Sequence, residues 1–121
     1  MSRISVVTHK GKPVLVQDFS GLRAGIEFQE SIAEAKRFMA GQPPKSVLSV
    51  FDATGTVYNV ETLAAMKDFA KHNEPYMKAS AVVGVEGIKN IALVAVSRFS
   101  GRTFGSFKDR AAAMDWVVEQ P

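Results

Sequence analysis

The sequence predicts an α/β domain, a single mixed but mostly parallel five-stranded sheet built in the order ββαβαβαβα. Three observations carry that expectation. Short β-rich runs alternate with segments whose apolar residues recur at helical spacing, the signature of strand–helix–strand crossovers. The connections between them are short and rich in Gly, Pro, Asn and Asp, which punctuate regular structure. The run Val47–Asp52 is largely apolar and passes through Ala53-Thr54-Gly55 toward Asn59. At such strand-to-helix junctions open α/β sheets collect backbone N–H groups and short polar side chains.

Bulk properties narrow the class. A chain of 121 residues suits one domain around one core, so residues 1–121 are expected to fold as a unit. With 46% hydrophobic and 22% charged residues and a mean hydropathy of +0.01, the composition is that of an ordinary globular protein. The net charge of +3 comes from 15 basic and 12 acidic residues that are interspersed, so no Lys/Arg run points to nucleic acid. Cysteine is absent, which excludes disulfides, thiolate–metal sites and cysteine nucleophiles and fits a reducing compartment. The first residues hold no apolar run of signal-peptide length, and the longest apolar stretch, 91–96, is too short to span a bilayer. A soluble, cytoplasmic protein is the expectation.

Residues 4–8 and 13–19 are β-rich and flank His9-Lys10-Gly11-Lys12, a hairpin signal that makes the first strand an antiparallel edge. Val14 and Val16 alternate with Leu15 and Gln17, so the second strand should be covered on both faces for part of its length. A helix is expected over 22–40, with Phe28, Ile32, Ala35 and Met39 as its buried stripe and Gly41-Gln42-Pro43-Pro44 as its stop. Asn59 is a good N-cap for a second helix reaching about residue 72, whose apolar face would be Val60, Leu63, Met66, Phe69 and Ala70. Residues 79–85 read as a buried strand.

The segment 88–99 is expected to be helical but apolar around most of its circumference, because Leu93, Val94 and Val96 lie off the Ile88, Ile91, Ala95, Phe99 stripe. A helix apolar all round is buried, or meets lipid, ligand or a partner chain. Ser100-Gly101 ends it, residues 103–107 form a short last strand, and Asp109 caps a final helix with Ala112, Ala113, Trp116 and Val117 inward. One internal echo stands out. Asp18-Phe19-Ser20-Gly21 and Asp52-Ala53-Thr54-Gly55 both read D-x-[ST]-G at a strand end, a recurrent strand-to-helix turn.

No catalytic, metal or cofactor set can be assembled. His9 and His72 lack the spacing a metal needs, and Ser80, Ser97 and Ser100 lack a nucleophile elbow. Gly84-Val85-Glu86-Gly87 lacks the further elements of a phosphate-binding or dinucleotide loop. The chain is therefore expected to bind and not to catalyse. Asp52 is the best polar candidate, able to accept loop N–H bonds and so fix the turn, or to orient a hydroxyl or ligand. Tyr58, Tyr76 and Lys78 are expected at the same end of the sheet.

The stretches VLSVFDATG (47–55), MKDFAKHNEPYMKASAVVG (66–84) and AVSRFSGR (95–102) resemble the SpoIIAA-like or STAS family, in particular bacterial proteins grouped as STAS/CRAL-TRIO-type. The resemblance covers nearly the whole chain. It implies a regulatory module that binds a protein partner, with Asp52, Thr54, Gly55 and Tyr58 as candidates for the contact; a second copy, forming a homodimer, would instead cover the surplus apolar face of the 88–99 helix. It also places Thr54 at the phosphoacceptor position of the family's D-S-[ST]-G motif. Ala53 departs from that motif, and Thr56-Val57-Tyr58 intervene before Asn59. The alternative it implies is a lipid or other apolar ligand, in a cavity between sheet and helices gated by a mobile helix. Leu93 and Val94 would then contact the ligand, and the 88–99 helix would touch a membrane peripherally, bracketed by Lys89 and Arg98.

Overall fold

The computed structural model describes residues 3–23, 25–57, 59–85, 93–94, 96–98, 101 and 104–120. Its strands are β1 (Ile4–His9), β2 (Lys12–Asp18), β3 (Val47–Asp52), β4 (Met77–Val83) and β5 (Gly105–Phe107). They form one five-stranded sheet in the order β1-β2-β3-β4-β5. β1 pairs antiparallel with β2, and every later pairing is parallel. The α/β architecture and the antiparallel edge strand expected from the sequence are both present. Lys10 (φ 50°) and Gly11 (φ 80°) form the hairpin's two-residue loop, and two left-handed residues there match the twist of the flanking strands.

The helices are α1 (Ile26–Ala40), α2 (Val60–Asn73), which runs into a 3₁₀ turn (Glu74–Tyr76), and α3 (Arg110–Val118). Residues 93, 94 and 96–98 are also helical, and Gly101, at φ 72°, donates its N–H to Ser97 O at 3.0 Å. That is a left-handed C-terminal cap, as the Ser100-Gly101 signal implied. The rest of the helix expected over 88–99 lies outside the described residues. Among the described residues no helix is long and apolar enough to cross a membrane.

Strands β2 to β5 sit side by side in sequence order. Crossovers of one hand then place the connecting helices on a single face. On that face Phe19, Phe51 and Val82 of the sheet side pack with Phe28 and Ile32 of α1 and Phe69 of α2. The opposite face, Val14, Val16, Val50 and Val83 among others, is covered by α3 through Ala113, Met114, Val117 and Val118. Because β2 and β3 are roofed on both sides, residues 14–17 and 47–52 are all buried.

Several local expectations are corrected. α1 begins at Ile26 and not at residue 22, because Gly25 takes φ 136° and Leu22 turns inward as a core residue of the preceding loop. β4 starts two residues before 79, directly after the 3₁₀ turn, and stops at Val83 because Gly84 takes φ 82°. Val60 is 88% exposed; the buried residue of the first turn is Thr62, which makes a reciprocal capping box with Asn59. In α3 the inward stripe is 113, 114, 117 and 118, which leaves Ala112 exposed and turns Trp116 to the edge, where it stacks on Phe107 at 5.5 Å.

These burials rank three substitutions. Phe28 is fully enclosed and meets Phe19 edge-on at 5.7 Å, so Phe28→Ala should cost about 3–5 kcal/mol. Trp116→Ala should cost less than that, and Val60→Ala should stay within about 0.5 kcal/mol. Urea denaturation of the three variants measures the order; a Trp116→Ala loss equal to that of Phe28→Ala would contradict the placement of α3.

Candidate functional site

At the carboxyl ends of β2 and β3 the two D-x-[ST]-G stretches adopt the same turn, side by side. Asp18 and Asp52 are register partners. Each carboxylate accepts the backbone N–H two residues on, Ser20 N to Asp18 Oδ1 at 3.1 Å and Thr54 N to Asp52 Oδ1 at 2.9 Å. Each turn then closes on a left-handed glycine, Gly21 at φ 72° and Gly55 at φ 69°. The turns are laced together by Phe19 N to Asp52 O (2.9 Å), Gly21 N to Thr54 O (2.8 Å) and the Thr56 hydroxyl to Phe19 O (2.6 Å).

Arg110, the first residue of α3, spans both carboxylates. Its Nε donates to Asp52 Oδ2 at 2.7 Å and its Nη2 lies 3.0 Å from Asp18 Oδ1. Burial by itself would raise the Asp52 pKa, but the Thr54 side-chain and backbone bonds together with Arg110 outweigh it and hold the carboxyl below its usual range. Asp18 is lowered in the same way, with Ser20 in the place of Thr54. Both Asp52 oxygens are occupied, and a carboxylate so held is a weak base. The turn-fixing role is what the geometry displays.

Of the sequence-predicted residues at this junction, Asp52 is buried while Thr54 and Gly55 are exposed at the turn's tip. Tyr58 lies outside the described residues. Tyr76 and Lys78 are placed at the opposite end of the sheet from Asp52: they flank the start of β4, and a parallel strand starts where its neighbour starts. Gly84 passes so close that a Cβ on it would lie 2.4 Å from Thr54 Oγ1 and 2.7 Å from Thr54 Cα. His9 pairs with Asp115 of α3 at 2.8 Å, and His72 meets Asn73 at 2.9 Å. Among the described residues no group of three His, Cys, Asp or Glu is placed to hold a metal.

A second feature lies under the crossover helices. A partly open cavity of about 60 Å³ separates the sheet from α2 and from the helical residues 93, 94 and 96–98. Phe51, Leu63, Met66, Phe69, Leu93 and Val96 supply most of its apolar wall. Its floor is polar: Gln17, Ser49 and Ser80 come from β2, β3 and β4, where Ser49 and Ser80 are register partners with hydroxyls 3.4 Å apart. Gln17 is only 2% exposed, and its Oε1 accepts no hydrogen bond. Among the described residues no ionisable side chain lines the cavity.

The two 88–99 candidates separate here. Leu93 lines the cavity, whereas Val94 is 43% exposed and points away from it. Helical geometry turns successive residues by about 100°, so neighbours cannot share one narrow face. Arg110, Gln17, Ser49 and Ser80 were not singled out as site residues from the sequence. The signal for the last three was present as polar side chains inside strands otherwise patterned for burial on both faces. For Arg110 the paired D-x-[ST]-G turns were the pointer, since two adjacent carboxylates call for a cation.

No family model matches the chain, and no curated protein matches it. Among solved structures it is similar to an uncharacterized protein from the DUF3478 family with a SpoIIAA-like fold, from Shewanella loihica PV-4. Sequence identity is 15%, the TM-score is 0.69, and the match covers 94% of this chain and 91% of that one. The likeness is one of fold. The chain has the SpoIIAA-like fold that the resemblance implied.

Two outcomes follow for the junction. The Asp18 and Asp52 pKa values are lowered on folding, so their contribution to stability is full above the ordinary carboxylate range near about 4 and is lost as pH falls through the lowered folded values. The stability gap between wild type and Asp52→Asn should therefore be largest at neutral pH and shrink toward pH 3, read from urea midpoints. A gap that does not change with pH would remove the ionised carboxylate from the account. Gly84→Ala should lose about 1–3 kcal/mol from its left-handed backbone alone, and more from the collision with Thr54.

Proposed function

We propose that this SpoIIAA-like chain is a non-enzymatic binding domain whose ligand is a compact, largely apolar small molecule. The observation that supports this reading is the cavity itself: an apolar wall over a small polar floor, between the sheet and the helices that cross it. Binding sites for small molecules share this composition, with a few placed polar groups setting orientation. The void also makes sense energetically, because unfilled apolar space in a core forfeits packing contacts that a ligand restores.

Size bounds the ligand. About 60 Å³ is less than half the ~150 Å³ of a cavity that encloses benzene. A whole lipid does not fit inside. A short chain segment does, with any longer part leaving through the open side. Leu93 and Val96 contribute their side chains to the cavity, so the helical residues there do not need a membrane to cover them.

A specific observation favours a second reading, a protein partner at the junction. Ile26 (77%), Val57 (45%) and Val60 (88%) are exposed apolar side chains, and Val57 N bonds Leu22 O while Gly21 N bonds Thr54 O, which draws the turns after β2 and β3 together beside the exposed Thr54. Replacing Val57 and Val60 with Ser should leave stability unchanged while weakening any such partner.

The principal reading has a direct check. Native mass spectrometry of the full chain, purified without organic additives, should show a small-molecule adduct. Ala70 borders the cavity, so Ala70→Leu should fill it and lose the adduct without lowering the melting temperature. An adduct retained by Ala70→Leu would place the ligand elsewhere on the protein.

A further inference from the structure

We infer that the outer edge of β1 pairs antiparallel with β1 of a second copy of this chain, across a two-fold axis at Val7, and joins the two sheets into one. Among the described residues no strand lies beyond β1, and Ser5, Val6, Val7 and Thr8 are all exposed. The backbone groups of β1 alternate in direction. Arg3 O accepts from Asp18 N at 2.8 Å, and the register with β2 runs unbroken from Ile4↔Gln17 to His9↔Lys12. Bonded pairs alternate with unbonded ones in an antiparallel ladder, so Ser5, Val7 and His9 bond β2 while Val6 and Thr8 turn their N–H and C=O outward. Pro13, which has no N–H, lies opposite Thr8, as that phase requires.

This edge lacks the usual protection. Proteins blunt an exposed edge with charge, proline, a bulge or shortness. β1 holds no Lys, Arg, Asp, Glu or Pro, shows no bulge against β2 and runs for six residues, whereas β5 on the far side has only three. Val6 is 53% and Val7 43% exposed, one on each face of the sheet. An axis at Val7 makes the strand its own complement. Val6 of each copy then exchanges both backbone bonds with Thr8 of the other, which satisfies every outward group of these two residues. Val7 meets Val7 in the close unbonded pair, and Val6 packs beside Thr8, β-branched neighbours that suit a sheet. The basic residues flanking β1 are held within their own chain, Arg3 at 3.5 Å from Glu27 and Lys10 at 3.2 Å from Asp115. The contact is closed: it consumes both β1 edges and leaves the short β5 strands at the two ends of the joined sheet.

The test follows the full-length chain by sedimentation velocity from about 5 µM to about 500 µM, the range in which so small an interface reports. Mass should rise from monomer toward dimer. Amide exchange should slow at least about tenfold at Val6 and Thr8 over that range, while Ser5 and Val7, already bonded to β2, should change little. Val7→Lys and Val7→Glu each set like charges across the axis, so either alone should stay monomeric, and an equimolar mixture should dimerise. Val6→Pro removes an outward N–H and keeps the bonds to β2, which makes it a second monomeric variant should the charges disturb the hairpin. A wild-type chain still monomeric at the highest concentration would overturn the inference. A dimer that survives Val6→Pro, or that leaves the Val6 and Thr8 amides unprotected, would put the contact on another surface and overturn it equally. A mixture of folded charge variants that stays monomeric would remove the axis at Val7.

Discussion

Every residue of β3 is buried, and its neighbour β2 is buried along most of its length. A strand in that position has no water on either face, so each polar atom it carries must find a partner within the protein or stand at a free-energy cost of about 1–3 kcal/mol. The rest of the molecule can be understood from how it meets this constraint. At the carboxyl end the buried Asp52 is satisfied by its own turn and by Arg110 from a distant helix. In the middle of the sheet, Ser49 faces Ser80 across the pairing, and Gln17 Oε1 has no partner. The first solution makes a rigid junction, and the second leaves a polar floor beneath an apolar vault.

The junction works as a tie between the two faces of the sheet. α1 and α2 cover one side because monotone strand order leaves no other place for crossover helices. α3 follows the last strand, is free of that restriction, and closes the other side. Arg110 opens α3 and reaches round to both Asp18 and Asp52, so the helix is held in register with the strand ends by a shared cation. The pairing is half-exposed on the arginine side, and its net worth is therefore modest, but its geometry is specific. Further along, Lys12 reaches Val118 O at 2.7 Å and His9 reaches Asp115, tying the opposite end of α3 to the β1–β2 hairpin.

A tightly held junction and a loosely filled cavity divide the labour within one small sheet. Gly84 and Thr54 approach so closely that no side chain fits between them, which fixes where β4 ends relative to the turn after β3. The cavity lies among Phe51, Val82 and α2, where the serines and the small Ala70 leave space that larger residues would occupy. Small and polar residues at those positions reduce core packing, and the fold carries that deficit between the sheet and α2.

Much was legible in the sequence because it is encoded locally. The Lys10-Gly11 loop, the Asn59 and Asp109 caps, the Gly101 stop and the stripe Phe28, Ile32, Ala35, Met39 each depend on a few neighbouring residues, and hydrophobic period and turn chemistry report them directly. The order of strands and helices follows from the same signals, and with it the SpoIIAA-like fold. What the sequence by itself could not decide was which distant side chains meet. Arg110 and Asp52 lie 58 positions apart, Ser49 and Ser80 lie 31 apart, and no periodicity within either segment foretells that they touch. The inward phase of α3 and the turning of Val60 and Val94 toward solvent were likewise set by packing against the whole sheet. Local chemistry determined the elements, and tertiary contact alone left the Oε1 of Gln17, one polar residue in a strand, buried without a partner.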